Sequence, residues 1–210
     1  MADGDNPQLY LITPPDFELA AFRPELERVL DAAPFACIRL SLATHDEDRL
    51  ARAGDMVRDV AHSRDIALVI ERHWSLADKL GLDGVHLMDG ARSVRAARKA
   101  LGRERIVGAF CGASRHDGMA AGEAGADYVA FGPLAAGNLG DGASAPLDLF
   151  EWWSEMIEVP VVAEGAISTE ASRHLAPATD FIAFGEEIWT AEDPVLSLRA
   201  FLEAGELEPS

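Results

Sequence analysis

"VVAEGAIS", residues 161–168, runs three strand-forming residues, Val161, Val162 and Ala163, into a carboxylate and then a glycine. Gly165 lets the chain turn and lets a ligand approach the backbone closely. A strand that ends in such a turn and opens a helix is one unit of a parallel α/β fold, and the turn is where a phosphate commonly sits. Working outward, short apolar, β-branched runs recur at 9–13, 37–42, 66–70, 84–87, 106–110, 128–131, 159–163 and 181–184. Ala/Arg/Glu-rich segments with helical spacing follow them at 17–32, 48–62, 75–80, 93–101, 119–124, 147–156, 170–175 and 194–202. Strict alternation implies right-handed crossovers and a parallel sheet. Eight units in 210 residues predict an α/β fold, a closed (β/α)8 TIM barrel in a single domain over 1–210 with its core at 8–204. No G-x-G-x-x-G follows 9–13 and there is no Walker loop, which speaks against an open nucleotide-binding sheet.

The chain carries 18 Lys+Arg against 36 Asp+Glu, a net charge of −18. Nucleic acid and anionic membranes demand basic patches, so neither is an expected partner. Cys37 and Cys111 lie in apolar runs without metal spacing and read as reduced core thiols of a cytoplasmic protein. No stretch resembles a signal peptide or approaches the roughly 18–20 apolar residues of a membrane span. The only lysines, Lys79 and Lys99, fall in helical segments, whereas a Schiff-base aldolase needs one on a strand. Trp152 and Trp153 sit near the start of a helix as core residues or as a contact with a second subunit, which leaves a homo-oligomer open.

In such barrels the chemistry lies at the carboxyl ends of the strands. His45, Glu71, His73, His86, Asp89, Glu164 and Glu186 all fall at or just beyond predicted strand ends. Imidazoles and carboxylates gathered at one mouth can hold a divalent metal or pair as acid and base. Taken singly, each reads more simply as a capping or solvated polar group. His86, inside the strand "GVHL", points at the barrel interior in this reading, as a site residue or as a satisfied core histidine. His62, His116 and His174 belong to surface segments. The glycine-rich stretch "AAGNLGDGASAP", 135–146, has no periodicity and reads as a functional lid at a strand's carboxyl end.

Taken together, "LYLIT" (9–13), "DGVHL" (83–87), "ADYVAFGP" (126–133) and "PVVAEGAI" (160–167) resemble the thiamine phosphate synthase/TenI family over nearly the whole chain. The resemblance implies a transferase of thiamine biosynthesis that joins a hydroxymethylpyrimidine diphosphate to a thiazole phosphate, with Mg2+ on the diphosphate. It implies a catalytic arginine at Arg39, with Ser41 in place of the family's lysine, and a site role for His86. Glu71 and Arg72 stand where the family has Asn-Asp, and Asp89 is the nearest substitute for its second metal acid; Glu71 and Asp89 are thus the implied metal ligands. Gly132, Asn138, Gly165, Ala166, Gly185 and Glu186 fall at the implied phosphate and ligand positions. Pro133 replaces the histidine of the isomerase branch.

Two carboxylates complicate the phosphate site. A charge pair at about 4 Å is worth roughly 4 kcal/mol at an effective dielectric of 20. A phosphate facing Glu186 and Glu164 meets repulsion comparable to what one or two amide hydrogen bonds return. The expectation is therefore an impaired phosphate cradle and a condensation that is absent or very weak. The alternatives are a divergent small-ligand-binding barrel and a metal-assisted lyase or epimerase.

Overall fold

The computed structural model describes residues 6–136, 139–140 and 143–207. Eight parallel strands close on themselves in sequence order: β1 (Gln8–Ile12), β2 (Phe35–Leu40), β3 (Ala67–Glu71), β4 (Gly84–Leu87), β5 (Ile106–Phe110), β6 (Tyr128–Phe131), β7 (Val161–Glu164) and β8 (Phe181–Phe184). The barrel expected from the alternation is the barrel observed. Around it lie α1 (Leu19–Leu30), α2 (Glu47–His62), α3 (Trp74–Lys79), α4 (Val94–Leu101), α5 (Arg115–Ala124), α6 (Leu147–Met156) and α7 (Thr169–Leu175). Two helices follow β8: a single turn, α8 (Glu186–Trp189), and α9 (Pro194–Gly205). The sequence pattern shows α9 but not α8, because one turn is too short to display a period.

Strand alternation divides the apolar residues into two clusters. Ile38, Leu40, Leu68, Ile70, Val85 and Leu87 face outward against the helices. Tyr10, Cys37, Val69, Phe110, Tyr128, Ala130, Val162 and Ala183 fill the interior. Two glycines make room inside. A Cβ on Gly108 would fall 2.0 Å from the Tyr128 ring, and one on Gly84 would strike the Ile106 carbonyl at 2.0 Å. Both thiols are buried and unpaired, and burial pushes each up to about 12, so neither is a nucleophile near neutral pH.

At the amino-terminal rim, "LDGV", "ADYV" and "TDFI" place an aspartate just before β4, β6 and β8. Each carboxylate accepts the first free amide of the preceding strand: Asp83 from Leu68 at 2.7 Å, Asp127 from Val107 at 2.7 Å, and Asp180 from Val161 at 2.8 Å. Edge amides that would otherwise lack partners are satisfied in this way. Trp153 is wholly buried, donates to the Val159 carbonyl at 2.7 Å and packs on Phe131, so it belongs to the core. Trp152 is half-buried against it, with the Arg115 guanidinium over its ring. Among the described residues no helix is long and apolar enough to cross a membrane.

Replacing Asp180 by alanine leaves the Val161 amide without its acceptor. Urea unfolding should show a loss of about 1–3 kcal/mol, and an unchanged midpoint would mean that water replaces the carboxylate at no cost.

Candidate functional site

The carboxyl end of the barrel is built from inward-facing polar residues stacked above the apolar interior. Deepest is a chain of three hydroxyl and imidazole groups. The Tyr10 and Tyr128 hydroxyls lie 2.8 Å apart, and Tyr128 also lies 2.8 Å from His86 Nδ1, its ring stacked on the imidazole at 5.7 Å. His86 is wholly buried and its Nε2 has no protein partner. Burial, helped by Arg39 and Arg72, holds the imidazole well below its ordinary value, so it is neutral near pH 7. Burial also raises both tyrosines well above theirs.

Above this chain lies a guanidinium between two carboxylates. Arg39 Nη1 is 2.7 Å from Glu164 Oε2, and Arg39 Nε is 3.9 Å from Glu71 Oε2. Glu164 is inaccessible to solvent, and Arg39 is 3% exposed. Burial pushes the Glu164 carboxyl above its ordinary value, against the pull of Arg39 and with a further push from the charges of Glu71 and Glu187. Desolvation pulls Arg39 down, but Glu164, Tyr10, Glu71 and Tyr128 together raise it above the ordinary arginine value, so it stays charged. Glu71 in turn accepts from the Ser41 hydroxyl at 2.7 Å and pairs with Arg72 at 3.1 Å. Arg72 sits at φ +66°, a left-handed turn just beyond β3 that keeps its side chain exposed.

The loops after β7 and β8 form a second anion-binding element. Gly165 and Ala166 are both left-handed, at φ +79° and +54°. This turn presents the Ile167 amide toward the loop after β8, where Gly185 presents its own. Both amides donate to one side chain, Glu187: Ile167 to Oε1 at 3.1 Å and Gly185 to Oε2 at 2.9 Å. Loops after the seventh and eighth strands, with a short extra helix, are the usual phosphate seat of such barrels; α8 stands at the corresponding place in the chain.

Several sequence expectations change at this point. Glu164 does not enter the cradle, because inward strand geometry commits it to Arg39. Glu186 does not face the cradle either. Its exposed side chain lines an outer groove of about 410 Å3 with Pro14, Phe17, Phe22 and Trp189. Neighbouring residues on a helical turn point about 100° apart, and it is Glu187 that turns inward. Gly132 is required by packing, since a Cβ there would lie 1.9 Å from the Glu164 carbonyl. Asn138 lies outside the described residues. From the same segment, Leu139 does reach the mouth, where it would lie 2.8 Å from a Cβ on Gly165 and packs with the interior cluster.

The metal acids are not brought together as a cation site. Asp89 is exposed and accepts from the Ser93 hydroxyl at 2.6 Å, while Glu71 is held by Ser41 and two guanidiniums. No group of three or more His, Cys, Asp or Glu side chains among the described residues could hold a metal. His45 and His73 face each other at 6.3 Å outside the interior, and burial together with His45 and Arg72 lowers His73. These residues do not fit a preformed Mg2+ seat.

The family model described as thiamine monophosphate synthase matches residues 9–188. The thiamine-phosphate synthase of Rhodospirillum centenum is 41% identical over 184 residues, which cover 87% of this chain and 89% of that protein. That of Erythrobacter litoralis is 38% identical over 210 residues, covering 97% and 98%. Among solved structures, the thiamine phosphate pyrophosphorylase from Pyrococcus furiosus superposes with a TM-score of 0.80 over 95% of each chain, at 23% identity.

His86 links the site to acid stability. Its folded value lies below its unfolded one, so the unfolded chain takes up a proton first as pH falls. Stability is therefore complete above the unfolded value of about 6.5 and declines below it, by up to ~1.4 kcal/mol per pH unit until the folded value is reached. Urea unfolding at pH 7 and pH 5 should show a smaller acid loss in His86→Gln than in the wild type. Separately, Glu164→Ala strands the buried Arg39 and should cost about 3–5 kcal/mol, whereas Arg39→Met with Glu164→Leu should cost much less. Additive losses in that cycle would show that the two side chains are not coupled.

Proposed function

The chain belongs to the thiamine monophosphate synthase family, and from that premise we propose that it condenses a pyrimidine diphosphate with a phosphorylated thiazole, slowly. The observation that carries this reading is the convergence of the Ile167 and Gly185 amides, on separate loops, upon the two oxygens of one carboxylate, that of Glu187. Two preorganised N–H donors at that place suit the monophosphate of one substrate. The second substrate's diphosphate would lie across the mouth toward Arg39, the guanidinium that strand alternation aims inward. His86, neutral and tied to Tyr128, has Nε2 free to accept or donate one hydrogen bond to a heterocycle. Leu139 lies where it would help keep water from that space.

The same geometry explains why turnover should be low. Arg39 already faces Glu164 and Glu71, so its charge is partly neutralised before any diphosphate arrives. That observation favours a second reading, a barrel that binds phosphorylated small molecules without joining them. A soluble small-molecule site needs neither nucleic acid nor membrane, and a cytoplasmic location suits such chemistry.

Purified protein supplied with both substrates and Mg2+ should yield thiamine phosphate at less than about 1 s−1, below the ordinary enzymatic range. Turnover well within that range would mean that Arg39 is released from its carboxylates in the working enzyme. No product, together with saturable binding of the thiazole phosphate, would establish the second reading instead.

A further inference from the structure

Glu187 stands where an anion is expected. Its two carboxylate oxygens span nearly the distance between two oxygens of a phosphoryl group. They take the Ile167 and Gly185 amides one each. Among the described residues no Arg or Lys pairs with the side chain, so these amides are the donors that meet its charge. Its main chain is anchored as well, since the Glu187 carbonyl accepts from the Ser197 hydroxyl at 3.0 Å. Glu187 is half-buried, whereas its neighbour Glu186 is exposed.

We propose that Glu187 is a tethered competitor for the phosphate cradle, and that the cradle takes a phosphoryl group only when this carboxylate swings out. The proposal rests on the phosphate reading of the loops after β7 and β8 given above. A free carboxylate and a bound phosphate cannot share the two amides, for they need the same donors and repel each other. Bare inorganic phosphate makes few contacts beyond the cradle and loses this competition. A phosphate ester whose organic body is also held by the barrel mouth wins it. Glu187 would thus act as a specificity residue, keeping the site clear of the abundant free anion while admitting the esterified one.

The test is a calorimetric titration of inorganic phosphate into the wild type, Glu187→Ala, Glu187→Gln and, as a charge control, Glu192→Ala, an exposed residue. Circular dichroism and thermal melting confirm that each variant is folded; Glu187→Gln keeps the side-chain volume if the alanine variant is not. The proposal expects Glu187→Ala to bind phosphate about tenfold or more tightly than the wild type, with a smaller gain for Glu187→Gln. The control should match the wild type. Equal affinities in the wild type and both Glu187 variants would overturn the competition while leaving the cradle as a phosphate site. Failure of the folded variants to bind either inorganic phosphate or the thiazole phosphate would overturn the cradle itself, and the proposal with it.

Discussion

A guanidinium and a carboxylate meet in the middle of this barrel, where neither reaches water. Strand alternation aims both Arg39 and Glu164 inward, and in so small an interior each must find a partner of opposite charge. Once they pair, the strongest cation in the mouth is no longer free, and the carboxylate that stands before Gly165 is no longer a threat to a phosphate. The layer beneath follows from the same demand. A buried imidazole needs a partner, Tyr128 supplies it, and Tyr128 fits only because Gly108 has no side chain.

The mouth thus has two anion-binding elements, and the protein's own carboxylates engage both. Arg39 holds Glu164 and Glu71; the amides of the β7 and β8 loops hold Glu187. With twice as many acidic as basic residues, 36 against 18, the chain has acids to spare for this. The net charge of −18 is therefore more than a solvated surface: part of it is folded into the site. The two relatives named above share 38–41% of the aligned sequence, and the fold carries over with them. What an anion meets on arrival depends on individual side chains that a shared fold leaves unspecified.

The barrel was legible in the sequence because period-two and helical spacing alternate with little interruption, and because Arg39 and His86 lie on strands whose apolar neighbours define the outward face. Ile38 and Leu40, both apolar, pack outward and leave Arg39 between them on the inward face. The cradle's occupant was not legible. Glu186 and Glu187 are adjacent, and only the angle at which α8 leaves β8 decides which one turns inward. That angle is set by long-range contacts, among them the Trp189 indole donating to the Ile12 carbonyl at 2.7 Å, across the seam where the barrel closes. The aspartates before β4, β6 and β8 are a signal the sequence also carries. Their spacing marks alternate strands, and their carboxylates do one repeated job.

Placing the competitor on α8 has a physical consequence that a carboxylate on a strand would not have. A strand residue such as Glu164 is fixed by the sheet on both sides, and to withdraw it would expose a buried guanidinium. Glu187 sits on one helical turn with part of its side chain open to solvent, so rotating it outward costs two amide hydrogen bonds and gains hydration of the charge. An incoming phosphate restores both bonds at once. The exchange is close to balanced before the rest of the ligand is counted, and contacts made elsewhere in the mouth then decide whether it proceeds. Where the carboxylate sits, rather than its presence alone, makes it a gate and not a seal.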